Sequence, residues 1–136
     1  MKKLLIVLVA IGVIGSFVAY QIYNKPHRNI AAEAPVVKIT ADGLFAFYES
    51  DEAAANASYL DQVIEVSGTI EEIVEDAEGN TVVILTAQSA MMGGVSATID
   101  PSVSGFSASS GAVLTLKGRC TGMLMDVVLT NCFPVK

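Results

Sequence analysis

The 136-residue chain is 52% hydrophobic and only 16% charged, with a formal net charge of −6. That size has room for a membrane segment and one globular domain, which excludes a pair of soluble domains. From Asn29 onward, 4 basic residues stand against all 14 acidic ones, leaving about −10 on the C-terminal part and disfavouring polyanionic partners.

In chain order, Met1-Lys2-Lys3 precedes an uncharged run from Leu4 to Tyr23, interrupted only by Gln21 and by small or aromatic residues. Twenty residues at helical rise cover the hydrocarbon core of a bilayer. Tyr20 and Tyr23 fall at one end, where amphipathic rings prefer the interface, and Lys25, His27 and Arg28 stop the run. Residues 1–24 are therefore expected to be a signal anchor or transmembrane helix, with residues 4–23 meeting the membrane. The alternative is a secreted domain released by signal cleavage, but the nearest small-x-small pattern, Ala32-Glu33-Ala34, lies well downstream. No cysteine lies near the segment, so a lipobox for bacterial lipidation is absent. The flanking charges nearly balance and leave orientation open.

Pro26 and Pro35, with small and charged residues between them, suggest an extended linker over residues 25–38. Thr40 is a good N-cap. Asp42 suits the first helical turn, and Leu44, Phe45, Phe47 and Tyr48 supply an apolar side to a helix that continues or restarts through Asp51 to Ala57. Ile64, Val66, Ile70 and Val74 then alternate with Glu65, Ser67, Glu71 and Glu75, the period of a half-buried strand, with Gly68 placed for a bend or bulge. Asp76 to Asn80 reads as a turn and Thr81 to Ala87 as the second arm of a hairpin. After a loop from Gln88 to Gly94 comes a short strand over 95–99. A Ser/Gly-rich loop between Pro101 and Gly111 holds Val103 and Phe106 as apolar anchors. Two strands follow, over 112–120 and about 125–134. The expected class is all-β: a five-stranded barrel preceded by a helix, occupying 39–136.

The stretch Leu116-Lys117-Gly118-Arg119-Cys120-Thr121-Gly122-Met123-Leu124-Met125-Asp126-Val127-Val128-Leu129-Thr130-Asn131-Cys132 resembles the bacterial tRNA_anti-like family of OB-fold proteins. The resemblance extends upstream through Asp51-Glu52-Ala53-Ala54-Ala55-Asn56, Tyr59 and Val63-Ile64-Glu65-Val66-Ser67-Gly68, covering roughly residues 40–134. It implies an OB barrel with a preceding helix, often exported in bacteria. OB surfaces that grip single strands combine a basic groove with aromatic platforms. The second and third strands here contain no aromatic residue, lysine or arginine, so nucleic-acid binding rests on fold analogy alone.

Cys120 and Cys132 flank the terminal hairpin and would face each other if its centre fell at Asp126, making a cross-strand disulfide sterically possible. Two buried free thiols are the alternative; a redox pair is disfavoured by the long spacing. A disulfide would place the domain on the outer side of the membrane. The sole histidine, His27, has its natural place at the interface or in solvent, and a zinc site would lack a second histidine. Glu71, Glu72, Glu75, Asp76 and Glu78 have oxygen ligands for a divalent cation, but read more simply as a solvated face that discourages edge pairing. Gly68, Gly118, Thr121, Gly122 and Asp126 are assigned structural roles, with turn chemistry preferred to catalysis for the last three. The serines between Ser102 and Ser110 lack a histidine base within the domain. Met91, Met92, Met123 and Met125 would make an adaptable surface if their loops meet.

These features lead to a non-catalytic, cofactor-free OB domain on the outer, periplasmic side of a bacterial cytoplasmic membrane, binding a protein or small ligand. The expected contact surface is the outer face between the strands at 81–87 and 95–99, with neighbouring loops. The alternatives are a structural or assembly module of an envelope complex and, by fold analogy, a single-strand nucleic-acid binder.

Overall fold

The computed structural model describes residues 1–24, 28–88 and 92–136. Helix α1, Lys2–Tyr23, is a continuous helix of 22 residues, none of them buried. At 1.5 Å per residue it is about 33 Å long. With a mean hydropathy of 2.4 it is long and apolar enough to cross a membrane.

The remaining elements are β1 Lys38–Thr40, α2 Ala41–Ser50, α3 Glu52–Tyr59, β2 Val63–Glu75, β3 Thr81–Thr86, β4 Gly94–Ile99, β5 Val113–Met123 and β6 Val127–Pro134. The 13-residue β2 serves two neighbours. Its first half pairs with β5, from Val63 opposite Arg119 to Thr69 opposite Val113, and its second half pairs with β3 as far as Glu75 opposite Thr81. Antiparallel β3–β4, parallel β4–β6 and antiparallel β6–β5 complete the circuit. Five strands thus close the expected OB barrel, with β1 added in parallel along β2.

The bend of β2 falls at a register shift between Ile70 and Glu72, not at Gly68. Gly68 instead permits close approach: a Cβ there would lie 2.9 Å from Ala41 Cβ and 3.3 Å from Leu85 Cβ. Helix α2 therefore sits directly over the sheet. Thr40 caps it by accepting from the Gly43 amide at 3.1 Å, and Leu44, Phe45 and Tyr48 are buried as a plug in one end of the barrel. The helix then breaks at Asp51, whose side chain accepts from the Ala54 amide at 3.0 Å to start α3. Val103 and Phe106 pack against the core from the long loop between β4 and β5.

The segment expected to be an extended linker is, from Arg28 onward, a docked strap. Ile30 is buried, as is Val63, and both lie outside the main barrel core. The Val36 amide donates to Val63 O at 2.8 Å, the Glu65 amide to Val37 O at 3.0 Å, and Lys117 Nζ donates to the carbonyls of Ala31 and Glu33 at 2.7 and 3.0 Å. Arg28 pairs with Glu33 and donates through Nη1 to Asp61 O at 2.6 Å. The strap fastens to the outside of β2 and β5 and runs straight into β1. Lys25, Pro26 and His27 lie outside the described residues.

The cysteines also differ from expectation. Both are buried free thiols, and the hairpin register does not pair them: Cys120 stands opposite Leu129. The physical cause is the hairpin tip: Met123 faces Val127, so the turn centres on Met125, and a register shift between Met123 and Cys120 sets Cys120 against Leu129. Further along, Asn131 adopts φ +51° and the register shifts again between Lys117 and Arg119, which turns Cys132 inward over Gly118. That makes Cys132 a diagonal neighbour of Cys120, where Cα separations run about 7–8 Å, beyond the usual disulfide span. Cys120 instead lies 3.2 Å from the hydroxyl of Tyr48, giving that buried group a hydrogen-bond partner. Burial, with a smaller contribution from Asp100, pushes the Cys132 thiol well above its ordinary pKa and keeps it protonated and unreactive. The cysteines therefore lend no support to an outer location.

At Gly118 a Cβ would lie 2.4 Å from Cys132 Sγ and 3.2 Å from Thr130 O. Gly118→Ala is expected to cost about 1–3 kcal/mol in chemical denaturation. Combining it with Cys132→Ala should cost less than the two single changes added together. Thiol labelling provides a separate check: in denaturant without reductant both cysteines should react, and complete protection would mean that they are bridged.

Candidate functional site

On β3 the buried Val83 and Leu85 alternate with half-buried Val82, Ile84 and Thr86; on β4 Val95, Ala97 and Ile99 alternate with Ser96 and Thr98. Cross-strand register places Val82 beside Thr98 and Val74, and Ile84 beside Ser96 and Glu72, while Val128 of β6 adjoins Ser96. The outer face is thus a patch of branched apolar and hydroxyl side chains with a carboxylate at its β2 border. This is the surface expected from sequence, and it contains no ring for stacking.

The cations of the domain are placed elsewhere. Lys38 pairs with Glu65 at 3.3 Å, and Lys117 and Arg28 hold the strap. Arg119 lies opposite Thr130 on the outside of β5 and β6; its Nε and the Thr130 hydroxyl are buried without hydrogen-bond partners.

At the helix-plugged end, the β5–β6 hairpin carries the distinctive sequence. Gly122 has φ +102°, a conformation that favours glycine, and the Thr121 hydroxyl donates to Val128 O at 3.1 Å. Asp126 does more than organise its own turn: its Oδ1 accepts from the Gly94 amide at 2.9 Å, tying the hairpin to the start of β4. Beside it lies a groove of about 400 Å³ lined by Glu52, Asn56, Leu60, Thr121, Met123, Leu124 and Val128. Asn56 Oδ1 is buried there without a hydrogen-bond partner, 3.5 Å from the position of a Cβ on Gly122.

Of the methionines, Met123 packs on the core, whereas Met92 and Met125 are exposed; Met91 lies outside the described residues. Sequence reasoning passed over Asn56, Leu60 and Leu124. The available signal was Leu124-Met125 itself, an apolar pair at a hairpin tip where polar residues are usual.

Among the expected acidic cluster, Asp76 has a defined task. Its carboxylate accepts from the amides of Glu78 and Asn80 at 2.9 and 2.8 Å and from Asn80 Nδ2 at 2.9 Å, closing the β2–β3 turn. Among the described residues no group of three or more His, Cys, Asp or Glu is arranged to hold a metal ion. Of the loop serines, Ser102 donates to Asp100 at 2.5 Å and Ser110 to Glu71 O at 2.6 Å. The hydrogen bonds from Asn80, then that from the Glu78 amide, hold the Asp76 pKa below its ordinary value. Stabilisation from a depressed carboxyl is present above its unfolded pKa and disappears as pH falls through the folded value. The Glu78 and Asn80 amide resonances should therefore report an Asp76 titration with its midpoint below the usual value of about 3.9. Asp76→Ala should shift them at neutral pH.

Comparison with known proteins agrees with this architecture. A crystal structure from Klebsiella pneumoniae, described as a "putative nucleic acid-binding lipoprotein", superposes with a TM-score of 0.61 at 18% identity, covering 73% of this chain and 91% of that one. At that identity the likeness is one of fold. A comparison with curated proteins finds no match. The tRNA_anti-like family model matches residues 1–133, taking in α1, the strap and the barrel. The chain belongs to the tRNA_anti-like family.

Proposed function

We propose that this chain is a membrane-anchored, non-catalytic OB domain of the bacterial envelope that binds a protein or small ligand through the outer face of β3 and β4. The observation that carries the reading is the chemistry of that face: Val82, Ile84, Thr86, Ser96 and Thr98, bordered by Val74 and Val128, without a cation or a ring. Such a surface suits an uncharged, largely apolar partner.

Anchoring is supported by the length and hydropathy of α1 and by the family match, which includes it. The outer location draws support from the likeness to a lipoprotein. A lipoprotein is tethered through lipid; here a 22-residue apolar helix supplies the equivalent attachment. The nucleic-acid reading suggested by the description of that neighbour finds little support in a face without lysine, arginine or aromatics on a domain of about −10 charge.

Crosslinking and affinity capture from intact membranes test the proposal. The full chain should retain a specific partner or ligand that the outward substitution Ile84→Asp loses, while both forms unfold cooperatively, Ile84→Asp at a somewhat lower temperature because Glu72 stands opposite. Equal capture by both forms would remove this face from consideration. Oligonucleotide binding that weakens steeply with salt would favour the nucleic-acid reading instead.

A further inference from the structure

Four large apolar side chains are exposed together at the helix-plugged end of the barrel: Leu60 at 43%, Met92 at 81%, Leu124 at 88% and Met125 at 77%. They belong to three separate segments. Leu60 and Leu124 line the same groove, and a Cβ on Gly93, next to Met92, would lie 2.9 Å from Met125 O. Local sequence does not explain why three segments converge to leave such residues bare. An exposed apolar cluster of this kind marks a contact surface.

The path of the chain identifies the occupant. Arg28, at the start of the strap, is fastened to the carbonyl of Asp61, the residue after Leu60. Helix α1 ends at Tyr23. Five residues span at most roughly 18 Å at full extension, whatever path they take. The headgroup layer itself is about 5–8 Å deep on each side of the bilayer. A barrel held at Asp61 by so short a tether keeps its helix-plugged end close to the lipid in which α1 resides.

We propose that Leu60, Met92, Leu124 and Met125 form a lipid-contacting surface that seats this end of the barrel on the bilayer. The proposal rests on the membrane-anchored reading of α1. Leucine and methionine enter the boundary between headgroups and acyl chains at little cost, and methionine adapts its shape to it. The acidic β2–β3 turn lies at the opposite end of β2, away from the lipid. The groove beside Leu60 and Leu124 also carries Glu52, so the contact is made by the apolar side chains and gains nothing from anionic headgroups.

The chain contains no tryptophan, so single introduced tryptophans report without background. The full chain is placed in phosphatidylcholine nanodiscs, with and without brominated acyl chains, carrying Leu124→Trp, Glu78→Trp or Ile14→Trp. Positions 124 and 78 are exposed, so neither change burdens the fold. Insertion to about 5–10 Å should bring Trp at 124 within range of the bromines and quench its emission by roughly half. The Glu78→Trp reporter should be unaffected. If the Leu124→Trp reporter is quenched no more than the Glu78→Trp reporter while Ile14→Trp is strongly quenched, α1 is anchored and the lipid-contact proposal is overturned. If Ile14→Trp also escapes quenching, the anchoring reading falls and takes the proposal with it. Blue-shifted but unquenched emission from Leu124→Trp would identify a protein surface, such as a second copy, and likewise overturn the proposal.

Discussion

The β2–β3–β4 meander and the β5–β6 hairpin each leave unpaired N–H and C=O groups at their edges, and the pairing of β5 with β2 and of β4 with β6 joins the two pieces into a closed barrel. Much of the architecture follows from that closure. It fixes an interior only wide enough for side chains, filled here by residues such as Val66, Val83, Leu85, Val95, Leu116 and Leu129. It also leaves two ends that strands cannot cover. Helix α2 plugs one, bringing Tyr48 deep enough to need a polar partner, which Cys120 supplies. With the interior filled, recognition is displaced to the outer face and the rim.

The features legible in sequence were those encoded by local repetition. Ile64, Val66 and their charged alternates announced β2, and Asp76 to Asn80 announced its turn, because period-two burial and turn chemistry are properties of neighbouring residues. The family resemblance supplied the order in which the strands close. The strap was illegible for the opposite reason: Ile30 is a single apolar residue among small and charged ones, and the groups that fasten the strap, at Asp61, Val63 and Lys117, lie far along the chain. Three-residue β1 is too short to show a period. The cysteine pairing was misplaced because symmetry about Asp126 assumes a regular hairpin. The turn instead centres on Met125, and the shift at Gly122, whose φ is +102°, leaves Cys120 facing Leu129.

The outer face of β3 and β4 was identified from residue types alone, and its position now follows from register. The helix-plugged rim was harder to foresee. Asp126 looked like a turn residue and also reaches across 32 residues to Gly94, so the neighbourhood of Met92 and Met125 is a tertiary product.

The strap determines how these surfaces are presented. Burial of one aliphatic side chain contributes about 1.5–3 kcal/mol, so Ile30 favours docking of the strap alongside the Lys117 and Arg28 contacts and the backbone bonds at Val36 and Glu65. Helix α1 and the domain are consequently joined through a docked segment, with only residues 24–27 in sequence between Tyr23 and Arg28. If the helix-plugged end is seated on lipid as proposed, the barrel axis points away from the bilayer. Strands tilt by about 35–45° from such an axis, so β3 and β4 run outward from the lipid and their outer face looks sideways. A partner approaching that face would therefore arrive alongside the membrane, and a neighbouring membrane-associated protein satisfies this geometry more simply than a ligand diffusing from bulk solution.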